Sequence, residues 1–196
     1  MQVKLEKKFA LDAPVDAAWS VLNDIYALAE CMPGASITEQ TGDNQYTGAV
    51  SVKVGPVQSA FAGTIDIIEV DQSAHTLSLS AKGKDKSGTS NAAMQLTASV
   101  SAGSGGGCEL VGNSEIKVMG KMANFGARMI KSVADQLIDQ FLANFSNRVL
   151  AAGEGEAAAA AAERVAEQPQ ALNAFALLWS MIKAFFRRLF GGKGTS

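Results

Sequence analysis

The chain has 196 residues, 47% of them apolar, with 17 basic and 19 acidic side chains and a net charge of −2. That length gives one domain plus an appendage. One histidine and two distant cysteines, Cys31 and Cys108, argue against a zinc site and a disulfide framework, and no basic patch with interleaved aromatics points to nucleic acid.

The N-terminus, Met1 to Phe9, has neither an apolar signal core nor a small-residue cleavage site, so the chain is expected to start in the cytoplasm. Both cysteines are then expected to be reduced and to serve as small buried hydrophobes. Residues 2–11 alternate as a strand with Val3, Leu5, Phe9 and Leu11 on one face. Asp12 and Pro14 open a helix over 15–22, with Ala18, Trp19 and Leu22 turned to a core. A second short helix is predicted over 24–29, and Pro33 and Gly34 stop it.

From residue 35 to 120 the pattern is all strand, with candidates at 35–40, 45–54, 57–70, 75–84, 89–101 and 108–120. One face carries Val50, Val52, Val54, Phe61, Ile65, Leu79, Met94 and Leu96; the other carries Lys53, Asp66, Lys82, Gln95, Glu115 and Lys117. An antiparallel sheet with one wet and one covered face follows. The cover is a long helix predicted over 122–150, with Ile130, Val133, Leu137, Phe141, Phe145 and Val149 in one stripe, broadened by Met122, Phe125 and Met129.

Nothing in this body reads as catalytic machinery. His75 is expected to be an exposed turn residue, and there is no nucleophile elbow. The glycine-rich run 103–107 lacks the ending of a phosphate loop and reads as a turn. What remains is soft and apolar. Tyr26, Met32, Phe61, Met94, Met122, Phe125 and Met129 are inward candidates, beside small residues at Gly48, Gly63, Ala81, Ala98 and Gly112. Small inward residues leave volume and methionines adapt to irregular guests, although the same residues also fill ordinary cores.

Residues 151–170 form an Ala/Glu/Gly-rich linker, and residues 171–196 contain Lys183, Arg187, Arg188 and Lys193 but no acid. The charge-free run from Ala171 to Ile182 is 12 residues, short of the roughly 20 that cross a bilayer. As a helix, this tail places Phe175, Leu178, Trp179, Ile182, Phe185, Phe186 and Leu189 on one stripe, with Phe190 extending it and the basic residues gathered opposite. The pattern predicts an amphipathic helix lying on a membrane surface. A helix packed on its own domain, or a more deeply inserted one with snorkelling cations, are the alternatives.

Several motifs, in order, resemble the CoxG family associated with aerobic carbon monoxide dehydrogenases. They are Leu28 to Gly34 (LAECMPG), Val54 to Val57 (VGPV), Phe61 to Gly63 (FAG), Gly83 to Gly88 (GKDKSG) and Gly120 to Gly126 (GKMANFG). The resemblance covers about residues 2–150. It implies an α+β START-like helix-grip fold of the SRPBCC superfamily: an antiparallel sheet wrapped around a long C-terminal helix, with residues 1–150 as a hydrophobic-ligand-binding domain.

It further implies a non-enzymatic accessory protein on the inner face of the cell membrane that recruits a molybdenum-containing carbon monoxide dehydrogenase or related hydroxylase. An isoprenoid quinone, menaquinone or ubiquinone, would occupy the cavity as electron acceptor. Its lining would come from Tyr26, Met32, Val52, Phe61, Ile65, Leu79, Met94, Leu96, Met122, Phe125, Met129 and Val133. Two other readings stay open: a recruitment adaptor without ligand, and an enzyme of the cyclase or hydrolase kind that START-like folds also host.

Overall fold

A computed structural model describes residues 1–55, 57–152 and 164–165 of the chain. Most of the expected linker and the whole of the expected tail, 171–196, lie outside the described residues.

Alternating apolar and polar positions build seven strands, β1 (Gln2–Leu11), β2 (Ala35–Gly42), β3 (Gln45–Val54), β4 (Val57–Asp71), β5 (Thr76–Asp85), β6 (Ser90–Ala102) and β7 (Cys108–Gly120). They form one sheet in the order β1-β7-β6-β5-β4-β3-β2, antiparallel throughout. Each sequential pair from β2 to β7 is a hairpin, and only β1 crosses over, to lie along β7.

Two short helices fill the crossover, α1 (Val15–Leu22) and α2 (Ile25–Cys31). Asp24 is the N-cap of α2 rather than its first helical residue. Its carboxylate accepts from the backbone N–H of Tyr26 at 2.9 Å and of Ala27 at 3.1 Å, satisfying two otherwise orphaned donors.

The predicted long helix is divided. Lys121–Phe125 forms a 3-10 turn, and α3 proper runs Gly126–Ala151. The apolar stripe is continuous across the junction, so periodicity alone cannot show the break. Gly126 sits at φ 80°, outside helical space, and the buried Ser90 hydroxyl accepts from the Met122 N–H at 3.1 Å.

Ser90 is itself held by Asp85. Both side chains are buried on the inner face, where the carboxylate accepts from the Ser90 N–H at 2.9 Å, the Ser87 hydroxyl at 2.6 Å and the Thr89 hydroxyl at 3.3 Å. This chain of bonds fastens the β5–β6 turn to the start of the helix.

The opposite end of α3 is fastened to α2. The Asn144 amide donates to the Cys31 carbonyl at 2.9 Å, and Arg148 pairs with Glu30. Midway, Lys7 reaches from β1 to Asp135 at 3.3 Å and Asp139 at 3.5 Å. Its hydrogen bond to Asp135 raises the ammonium pKa against the opposing effect of burial, and Asp139 adds to the rise.

Hydrogen bonds from Ser87 and the Ser90 N–H hold the Asp85 pKa below the ordinary carboxylate range. A depressed folded-state pKa contributes stability above the unfolded value of about 3.9, lost as pH falls through the folded value. Asp85→Asn is therefore expected to lower the melting temperature at pH 7. The gap from the wild type should narrow progressively below about pH 4 in thermal melts.

Candidate functional site: the grip between sheet and helix

The strand register lays the inner face out in cross-strand rows. One row runs Tyr46, Ile65, Ala81, Met94, Ile116 and Val3; the next runs Ile67, Leu79, Leu96, Ser114 and Leu5. On the other side of the first row lie Gly48, Gly63, Gly83 and Ala92, four positions with almost no side chain. At Gly63 this smallness is obligatory. A Cβ there would stand 1.8 Å from the Lys82 carbonyl oxygen, so β4 and β5 approach too closely for any other residue.

Buried side chains form two apolar clusters instead of one. The first joins α1 and α2 to the later turns of α3 and to Leu77, Leu79, Ala98, Val100 and Leu110. The second joins Val3, Leu5, Val54, Phe61 and Val118 to Met122, Ile130 and Ala134. Ile138 packs against both. Ile65 and Ala81, in the middle of the sheet, belong to neither. Gly112, on the inner face of β7 opposite Lys7, has no atom within 4 Å of where a Cβ would be. The grip is thus packed at its two ends and looser between them.

The expected lining residues divide accordingly. Leu79 is in the first cluster, with Met94 and Leu96 packed against it. Phe61 and Met122 are in the second, with Val52, Phe125 and Val133 packed against it. Ile65 lies between, and Met32 is half-buried at the end of α2.

Tyr26 and Met129 differ from the expectation that they face inward. Tyr26 is 48% exposed because Ala27, Leu28 and Cys31 take the inner side of α2, and its ring meets Tyr46 edge-on with centroids 6.0 Å apart. Met129 is 39% exposed, and its sulfur would lie 3.6 Å from a Cβ at Gly55. His75 also departs from its expected exposure. It is half-buried at φ 48°, its ring 5.5 Å from that of Trp19, whose indole N–H donates to Gln72.

At the α1–α2 end a cleft of about 150 Å³ opens. Leu22 and Leu77 are buried members of the first cluster at this cleft, and Asn23, Ile25, Asn44, Tyr46, Ile67 and Val70 complete it. None of the twelve expected lining residues is among them. Tyr46 connects cleft and grip, since Ile65 is its neighbour in the same cross-strand row.

Polar groups stand mostly outside this space. Glu115 pairs with Lys117 at 3.1 Å and Lys4 at 3.8 Å on the outer face, and Asp66 shares that face with Ser80. Burial pushes the Cys31 thiol up to about 11 and raises that of Cys108, the opposite of an activated nucleophile. Among the described residues no group of three His, Cys, Asp or Glu could hold a metal ion. Sequence reading passed over Lys7, Asp85 and Ser90, three polar residues on the inner face. Their odd-one-out positions in apolar strand phases were the available signal.

A seven-stranded antiparallel sheet closed by one long C-terminal helix, with two short helices in the first crossover, is a START-like helix-grip domain. Three solved structures share that fold. A conserved protein from Geobacillus kaustophilus matches at TM-score 0.67 and 21% identity, over 75% of this chain and 95% of its own. The Zhui aromatase/cyclase of Streptomyces sp. R1128 matches at TM-score 0.56 and 17% identity, over 79% and 100%. A protein from Thermus thermophilus matches at TM-score 0.54 and 12% identity, over 79% and 100%. These identities establish the fold alone. The chain matches no curated protein. The sequence pattern of the carbon monoxide dehydrogenase CoxG family matches residues 8–150, and the chain belongs to that family. Membership associates it with carbon monoxide dehydrogenase in an accessory capacity.

Two glycine substitutions check the geometry. Gly63→Ala is expected to destabilise by about 2–3 kcal/mol or to prevent folding, because backbone must move. Gly112→Ala, entering open space, should change stability by no more than about 0.5 kcal/mol in denaturant titrations.

Proposed function

We propose that the protein is a membrane-anchored accessory factor that recruits a molybdenum-containing carbon monoxide dehydrogenase and presents it with an isoprenoid quinone, held in the grip, as electron acceptor. The observation that carries the ligand part is the loosely filled middle of the grip: Ile65 and Ala81 belong to neither apolar cluster, and the space in front of Gly112 is open. Family membership supports the partner, and the basic apolar stretch 171–196 supports the anchor. Nothing in the reading requires bond chemistry by this chain. The domain lowers the cost of exposing a very apolar molecule to water, which scales with the apolar area shielded.

The length of the linker fits a shuttling role. As a coil, its 20 residues would span roughly 25 Å r.m.s.. That reach lets the domain address both a membrane and a docked enzyme. The tail fastens by its Phe175–Trp179–Ile182 stripe, and each basic residue near an anionic leaflet adds about 1 kcal/mol.

Incubating the full-length protein with a short-chain menaquinone or ubiquinone in the absence of vesicles, then removing free quinone by gel filtration, tests the ligand claim. Quinone should be extractable from the protein fraction in near-equal molar amount. Gly112→Phe, which projects a ring into the open part of the grip, should reduce capture at least about tenfold, the scale of one well-placed steric conflict. Its melting should still resemble the wild type. Failure of the wild type to retain quinone would leave the family association and exclude carriage.

For the anchor, exchanging Lys183, Arg187 and Arg188 for Glu should weaken binding to anionic vesicles. The residual difference should shrink as ionic strength rises in flotation assays. Unchanged partitioning would mean that the tail engages through apolar contact alone or through protein.

A further inference from the structure

The α1–α2 end of the domain is acidic to a degree the net charge conceals. From Phe9 to Ala81 the chain has nine Asp and Glu and one basic residue, Lys53, which lies near the far end of β3. Three of the four segments that line the 150 Å³ cleft carry an acid immediately beside a lining residue. Asp24 adjoins Asn23 and Ile25, Asp43 adjoins Asn44, and Glu69 and Asp71 flank Val70; all four are exposed. Leu22 and Leu77 give the cleft a buried apolar floor, Asn23, Asn44 and Tyr46 give it polar edges, and Val70 (38%) stands exposed in its wall.

A cleft with an apolar floor and an acidic rim complements a segment rich in both apolar and basic residues, and the sequence of residues 171–190 is such a segment. We propose that the cleft is an intramolecular seat for residues 171–190: Phe175 or Trp179 enters the cleft, and Lys183, Arg187 and Arg188 lie over the acidic rim. Chain geometry allows it. Asn144 and Arg148 fasten the last turns of α3 to Cys31 and Glu30 of α2, whose first residue, Ile25, lines the cleft. Seven helical residues separate those points by about 10 Å. The 18 residues from 153 to 170 span more than that as a coil, roughly 20–25 Å.

The same cations cannot satisfy an anionic membrane and the rim together, so seating and membrane binding exclude each other. An anionic surface also repels the acidic end of the domain. The tail would leave the cleft as it binds lipid, with the rim turned away from the bilayer. The inference is independent of what occupies the grip.

Carbodiimide coupling of lysine amines to carboxylates in the dilute full-length protein, mapped by peptide mass spectrometry, tests it. Lys183 should couple to Asp24, Asp43, Glu69 or Asp71 within the monomer, and anionic vesicles should abolish the coupling. Asp43→Lys with Glu69→Lys, both exposed, should cut the yield about fivefold, the effect of two surface ion pairs. Trp179→Ser with Phe175→Ser, which alters no charge, should cut it as well. Coupling found only in a dimer would assign the seat to a second copy and overturn the intramolecular proposal. Coupling confined to the linker acids Glu154, Glu156, Glu163 and Glu167, or none at all, would overturn it too.

Discussion

One helix cannot cover seven strands. Strands spaced about 4.8 Å apart make a sheet on the order of 30 Å wide, whereas a helix with its side chains is about 10–12 Å across. The rest of the inner face must be met by curling the sheet, by added elements, or by something that is not part of the chain. This protein does the first at the glycine row, where Gly63 lets β4 and β5 close on each other. It does the second with α1 and α2, which supply most of one apolar cluster. The middle, around Ile65, Ala81 and Gly112, is left with neither, and that shortfall is why the proposed function places an apolar guest there.

The helix is held over this space by polar fastenings at separate points. Asp85, Ser90 and the Met122 N–H anchor its start; Lys7 with Asp135 and Asp139 holds its middle; Asn144 and Arg148 bind its end to α2. Directional bonds fix where the helix lies without filling the volume beneath it. Close packing along its whole length would fix it equally well and leave no room. The distribution of charge follows the same division, with carboxylates collected at the cleft end and most lysines of the sheet at the other.

Much of this was legible in the sequence because strands announce themselves by period 2. All seven appear in the alternation, with ends within two residues of those observed, since hairpin glycines and Asp/Asn turns punctuate them. Two things were hidden. The 3-10 turn before α3 leaves the apolar stripe of Met122, Phe125 and Met129 intact, and it is a hydrogen bond from a distant strand that stabilises it. The outward setting of Tyr26 depends on which side of a seven-residue helix meets α3, and too few positions exist for periodicity to decide. Lys7 reads as an interruption of an apolar face until its partners, more than a hundred residues away, are brought beside it.

If the grip carries an apolar guest in the cell, that guest should accompany the protein through purification from its host's membranes. Native mass spectrometry followed by organic extraction should then show a one-to-one adduct whose mass and absorbance are those of an isoprenoid quinone. A bare polypeptide mass under conditions that preserve other apolar complexes would contradict carriage, and the protein would then be an adaptor whose grip serves only to fold.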